Sequence, residues 1–335
     1  MARPSEEIAV AWSSLTGSGG EAEGWRTAPV SRHGAITLHA GRRFPSGAEA
    51  LLARFANASV PAAVPLPEGA GFRIERVAPA GDGVAWLALT RKADGSQDLF
   101  ASMARNIADA LESCPSTDEP RGLAIFLGRA RAWQEFMRKG AAPLGPEAEA
   151  GLVGELAALR AIIECGVDKA SACESWRGPL RGVRDFEIGT GGIEVKSTTS
   201  AVGFFARVGS LEQLDDSIRR PLFVAGMRLR LTESGSSLPQ VVGAMGESVA
   251  SEQEAARLIA ERLVAAGYVD AHASQYVRKF ELAEIKLLRV SSDFPRMTPS
   301  SVPDGVARAS YDIDLDKAPG QATTFAAALV ELKAL

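Results

Sequence analysis

Asp185, Glu187, Glu194 and Lys196 fall within RDFEIGTGGIEVKSTTS, residues 184–200, around a glycine-rich turn. Carboxylates gathered this closely are side chains that can hold a hard divalent cation. Phe186 and Ile188 before the turn, and Ile193 and Val195 after it, alternate with the charged residues. That alternation predicts two half-buried strands in a hairpin, with Gly189, Gly191 and Gly192 giving the loop its backbone freedom. Pairing Ile188 with Ile193 sets Glu187 opposite Glu194 and Asp185 opposite Lys196, all four on one side of the sheet. Like charges directly opposite destabilise a sheet, so the pattern calls for compensation. A divalent cation is one solution, and a surface salt bridge between Lys196 and Asp185 is the other.

The elements that must position these residues can be read on either side. EAEAGLVGELAALRAIIECG predicts a helix ending at Gly166, with Leu152, Leu156, Leu159 and Ile163 as its apolar stripe. Glu155 lies at the edge of that stripe, where it meets the border of a sheet or forms a rim salt bridge. After the hairpin come a strand-like GFFARVG, a short helix from SLEQLDD, and the apolar strand PLFVAGMRLRL. Ser210 and Gln213 have the spacing of a capping box at the start of that short helix. The order is helix, strand, strand, strand, helix, strand.

The remainder divides around this block. Residues 1–140 mix strand-like runs (GAITLHA, GFRIERVAP, GVAWLALTR) with two helical patterns, LFASMARNIADALES and LAIFLGRARAWQEFMRKG, and read as an α+β domain. GSGGEAEG near residue 20 lacks the strand–GxGxxG–helix context and is expected as a loop. AAPLGP at 141–146 is a linker or helix start, residues 146–234 form the central block, and 235–335 form an α+β extension packed on it. The extension holds the helical SEQEAARLIAERLVAAG and the strand-like FELAEIKLLRVS.

Composition narrows the class. The 335 residues are 46% hydrophobic and 23% charged, as in an ordinary globular protein. No run of about 18 apolar residues suggests a membrane span, and the N-terminal MARPSEEIAVAW lacks a signal-peptide core. Cys114, Cys165 and Cys173 have no CxxC spacing, so a reduced, cytoplasmic chain with inert or partly buried thiols is expected. The net charge of −4 offers no general attraction to nucleic acid. From Trp176 to Arg230, however, nine bases and six acids leave a local positive excess, a basic rim suited to a polyanion. His33, His39 and His272 have no metal-ligand spacing, and there is neither a P-loop nor a GxSxG elbow. Trp176 could stack on a base, but a tryptophan before Gly-Pro reads first as a core anchor.

An acid on a helix, then Asp, then Glu-x-Lys on a hairpin resembles the PD-(D/E)XK nuclease superfamily, whose core has the αβββαβ order. The chain is similar in particular to a bacterial family described as "putative PD-(D/E)XK family member". The residues that carry this are GLVGEL (151–156), WRGP (176–179), DF (185–186) and EVK (194–196), followed by EQL (212–214), FPR (294–296) and YDIDL (311–315). Arg184 stands where the superfamily motif has its proline. The resemblance implies a restriction-endonuclease-like αβββαβ core, α+β or α/β in class, with an N-terminal α+β domain and a C-terminal α+β extension.

It also implies a chemistry and a setting. Asp185 and Glu194 would hold Mg2+, with Mn2+ able to substitute, and the main-chain carbonyl of Val195 would supply a further oxygen. Lys196 would orient the attacking water or stabilise the phosphorane charge, and Glu155 would act through a water or on a second metal. Arg177, Arg181, Arg184 and Gln213 are candidate nucleic-acid contacts. The expected activity is a DNA endonuclease in bacterial restriction or phage defence, beside helicase, ATPase or methyltransferase subunits. A non-cleaving DNA-binding or assembly subunit with the same fold is the alternative, and RNA is a further candidate substrate.

Overall fold

A computed structural model describes residues 4–16, 23–33, 36–79, 84–112, 114, 118–138, 140–320 and 322–335. The chain divides into two compact units, residues 1–142 with 269–271, and residues 143–268 with 272–335. The expected loop GSGGEAEG lies almost wholly outside the described residues.

The first unit contains α1 (Pro4–Ser14), β1 (Gly24–His33), β2 (Ile36–Phe44), β3 (Ala48–Phe55), β4 (Glu68–Gly69), β5 (Phe72–Val77), β6 (Trp86–Arg91), α2 (Gln97–Glu112) and α3 (Glu119–Arg138). Its six strands form one antiparallel sheet in the order β1-β2-β3-β6-β5-β4. α1 is tied to the sheet by the Trp12 indole, which donates to the Ala50 carbonyl at 2.8 Å. Glu49 is buried on β3 and holds Arg42 and Arg91 at 3.1 and 2.7 Å, so its charge is compensated.

The second unit contains α4 (Pro146–Glu164), α5 (Lys169–Ser175), β7 (Phe186–Ile188), β8 (Gly191–Thr198), β9 (Phe205–Val208), β10 (Leu222–Ser237), α6 (Leu238–Val249), α7 (Gln253–Ala266), β11 (Lys279–Arg289), β12 (Tyr311–Asp314), β13 (Ala322–Thr323) and α8 (Phe325–Glu331). Its main sheet runs β13-β11-β10-β8-β7, with β10 parallel to β8 and the other neighbours antiparallel. The class is α+β, consistent with a PD-(D/E)XK fold. Residues 235–335 supply β11 and β13 to this same sheet.

Two layers cover the sheet. Ile193 and Val195 of β8, with Phe223, Ala225, Met227 and Leu229 of β10, pack with Leu152, Leu156 and Leu159 of α4. Leu222 and Val224 face the other way, into a core made with Phe204, Ala206 and Val208 around β9 and with Ile313 and Leu315 around β12. The third strand of the expected core therefore leaves the main sheet: β9 pairs with β12 in a separate two-stranded ribbon.

The helix expected from SLEQLDD does not form. Residues 209–220 are bends, a turn and irregular chain, and Gln213 Oε1 accepts from the Gly209 N–H at 2.7 Å instead of closing a capping box on Ser210. A capping box does occur at Ser237 and Gln240, where the Ser237 N–H donates to Gln240 Oε1 at 2.8 Å and starts α6. No described helix is long and apolar enough to cross a membrane.

Candidate active site

α4 begins with Pro146 in its first turn, where the missing N–H removes no helical bond. Halfway along, Gly154 meets β8: a Cβ there would lie 2.0 Å from Ser197 Oγ and 3.3 Å from Met227 Cβ. A side chain there would have to displace Ser197 or the helix, and the close approach sets the next residue, Glu155, at the border of the sheet. The Glu155 carboxylate accepts the Trp176 indole N–H at Oε2, 2.6 Å away. Trp176 is fully buried at the end of α5, and its carbonyl accepts from Arg262 Nε at 2.9 Å.

The hairpin register differs from the one expected. Ile188 pairs with Gly191, Glu187 with Gly192 and Phe186 with Ile193, so the turn is the two residues Gly189 and Thr190. One step further, Asp185 comes alongside Glu194, and Glu187 is moved away from it. The like-charge opposition is real but involves a different pair. Glu187 sits instead near Arg219 at 3.9 Å.

The pairing of β7 reaches only to Phe186, so the edge of β8 beyond Ile193 is open. The Asp185 carboxylate takes up this edge, its Oδ2 accepting the Val195 N–H at 2.7 Å. A strand residue directs its N–H and C=O to the same edge. Gly192 donates toward β10, to the Pro221 carbonyl, so Val195, three residues on, directs its N–H and C=O to the open edge. Its carbonyl therefore lies on the side of Asp185, as the resemblance requires of a metal ligand.

Glu194 is 1% exposed, and its Oε1 accepts from Lys196 Nζ at 2.7 Å while Oε2 is buried with no hydrogen-bond partner. The salt bridge expected between Lys196 and Asp185 is thus made to Glu194. Glu155 completes the group. A Cβ on Gly178 would lie 2.6 Å from Asp185 Oδ1 and 3.1 Å from Glu155 Oε2, so these two carboxylates approach one point.

All three acids hold their protons more tightly than usual. Burial pushes the Glu155 carboxyl up to about 8, with the Asp185 charge adding to it and the Trp176 hydrogen bond opposing it. Glu194 is also pushed up to about 8 by burial and then by Asp185, with Lys196 opposing. Burial raises Asp185 too, against the Val195 N–H and the Lys196 charge.

The expected nucleic-acid contacts fare unevenly. Arg184 is 5% exposed; its stem crosses Gly192, and its guanidinium donates to the Asp215 carbonyl. It is therefore a buried structural cation in this conformation and not a phosphate contact. Arg177 is partly exposed near Glu174, at 3.9 Å, and Arg181 is exposed in a left-handed conformation at φ 62°. Gln213 turns its Oε1 to the Gly209 N–H. Trp176, which the sequence places first in the core, touches the acid cluster directly; the signal for it is WRGP standing shortly before DF.

The donors fit a hard cation. Among the described residues no three His, Cys, Asp or Glu side chains form a ready-made cage. Mg2+ does not need one, because it binds through one or two carboxylates and keeps several waters. The unpartnered Glu194 Oε2, the Asp185 carboxylate and the Val195 carbonyl are oxygen donors, the set preferred by Mg2+ and Mn2+ over softer metals.

Comparison with known proteins places the chain in a family. Residues 8–316 match the family DUF4420, described as "Putative PD-(D/E)XK family member", and the chain belongs to it. No curated protein and no solved structure matches it significantly.

Proposed function

We propose that the chain is a Mg2+-dependent endonuclease that hydrolyses phosphodiester bonds in DNA, working in a bacterial restriction or phage-defence system. The observation that supports this most is the meeting of Glu155, Asp185, Glu194 and Lys196 at the open edge of β8. Burial, with the Asp185 charge acting on Glu155 and Glu194, holds the three acids in a state that a cation would relieve.

Asp185, fixed through Oδ2, and Glu194, through Oε2, would hold the ion with the Val195 carbonyl. When bound, Mg2+ supplies a polarised water and neutralises charge at the phosphate. Lys196, already directed at Glu194, turns its ammonium toward the attacking water or a phosphate oxygen. Glu155, its Oε2 accepting the Trp176 indole N–H, would accept a hydrogen bond from that water. Helicase, ATPase or methyltransferase subunits would deliver the substrate.

The Lys196–Glu194 pair also favours a second reading, a DNA-binding or assembly subunit in which the lysine has closed the site. Plasmid DNA, linear DNA and RNA incubated with the purified chain, with Mg2+, Mn2+ or EDTA, separate the two. Metal-dependent nicking of plasmid supports the endonuclease, RNA cleavage alone changes the substrate, and binding without cleavage supports the subunit.

A further inference from the structure

We infer that Trp176 is a positioning residue for Glu155, and that the Trp-Arg-Gly-Pro turn it opens is the clamp that sets Glu155 against Asp185. This deepens the nuclease reading and rests on it for the role of Glu155. Three bonds from consecutive residues make the clamp. The Trp176 indole donates to Glu155 Oε2 at 2.6 Å, and the Arg177 and Gly178 N–H groups donate to the Asp185 carbonyl at 2.7 and 3.1 Å. Trp176 also bridges to Phe186, the first residue of β7. One short segment thus grips the helix acid by a side chain and the strand acid by its main chain.

A tryptophan that served packing alone would need only some acceptor for its indole N–H. Here the donor goes to a carboxylate beside two other acids. The turn is anchored from behind by Arg262, 3% exposed, on the Trp176 carbonyl, so the indole has a fixed base from which to act. Gly178 supports the same assignment. Any side chain there would enter the space between Asp185 Oδ1 and Glu155 Oε2, so the turn passes directly over the acids with nothing interposed. Groups that orient a metal-site side chain from one layer out commonly change metal affinity or activity by about 10–100-fold when removed.

The test is Trp176→Phe in the full chain, which keeps an aromatic ring and removes the donor. Mn2+ affinity, read by electron paramagnetic resonance on the folded protein, should weaken about 10–100-fold, and kcat should fall with KM for DNA nearly unchanged. A role in packing alone would lower the melting temperature and leave Mn2+ affinity within about twofold of wild type; that result overturns the inference. Should Trp176→Phe not fold, indole-15N-labelled wild type decides. One of the five indole signals should lie downfield, move on adding Mg2+, and shift upfield in Glu155→Ala. Five indole signals unmoved by Glu155→Ala overturn it. A wild type that binds Mn2+ but cleaves nothing removes the nuclease reading and leaves this one standing. A wild type that binds no Mn2+ overturns both.

Discussion

Asp185 holds Val195 across the end of the hairpin: its Oδ2 accepts the Val195 N–H at 2.7 Å, at the point where β7 no longer pairs and β8 continues alone. A main-chain hydrogen bond that a longer β7 would have made is made by a side chain. The acid is thereby fixed on the strand that carries Glu194 and Lys196, with Oδ1 left toward Gly178. Because the bond constrains a carboxylate that also bears charge, the two contributions can be separated by substitution.

Asp185→Asn keeps an acceptor for Val195 and removes the charge. The metal-free variant should therefore melt at or above the wild-type temperature, since the repulsion from Glu155 and Glu194 is relieved. A ligand at 100 times its Kd stabilises a folded protein by about 2.7 kcal/mol, and the variant should lose that gain with Mg2+. Differential scanning fluorimetry with and without Mg2+ reads both effects. Equal metal shifts in the two proteins would locate the ion elsewhere.

Lys196→Ala separates chemistry from binding. Loss of one stabiliser of a developing oxyanion typically costs about 10²–10³ in rate, whereas loss of one phosphate contact weakens binding modestly and reduces its salt dependence. Cleavage should fall by that factor while metal binding and most DNA affinity persist, measured by filter binding at fixed salt. A variant that cleaves like the wild type removes Lys196 from the mechanism.

The raised acids give a pH dependence with a definite sign. Glu155 and Glu194 are pushed up to about 8 in the folded chain, against about 4 for a free glutamate. Between those values the folded state binds more protons than the unfolded state. This contribution to metal-free stability is fully present below about pH 4 and is lost as pH rises through about 8. Metal requires the ionised carboxylates, so Mg2+ binding should release protons and tighten with pH across the same window. Calorimetry in two buffers of different ionisation enthalpy measures the release. Mg2+ affinity that stays flat from about pH 5.5 to about 8.5 would contradict the site.

Gly154→Ala tests how closely α4 must approach β8. Its Cβ would meet Ser197 Oγ at 2.0 Å and Met227 Cβ at 3.3 Å, and overpacking of this kind costs about 1–3 kcal/mol. The variant should lose that stability in urea and, with Glu155 displaced, weaken Mg2+ binding. A variant as stable as wild type would show that the helix can stand off without cost.

Local pattern was enough to mark the candidate site residues and the elements that carry them. The period of α4, the two strands of the hairpin, and the acids at Glu155, Asp185 and Glu194 are legible from residue types at near spacing, because helix and strand periods are properties of the backbone alone. The register is not. Gly189, Gly191 and Gly192 read as loop glycines, yet Gly191 and Gly192 lie within β8. Their requirement comes from distant chain: a Cβ on Gly189 would lie 1.9 Å from the Leu332 carbonyl, and one on Gly191 would lie 1.8 Å from the Pro221 carbonyl. Segments remote in sequence thus fixed a two-residue turn and put Asp185, not Glu187, beside Glu194.

The same division explains the two capping boxes. Ser210 with Gln213 and Ser237 with Gln240 have identical spacing, but only the second begins a helix. Leu211 and Leu214 are buried from a run of turns, with Leu214 in the core between the sheet and the β9–β12 ribbon, while α6 buries Leu238, Met245 and Val249 against the other layer. A cap signals where a helix can start, and burial of the residues beyond the cap decides whether it does. Trp176 stands at the same boundary: composition gives a buried ring, and only the fold, by bringing α5 over α4, turns its indole N–H onto Glu155.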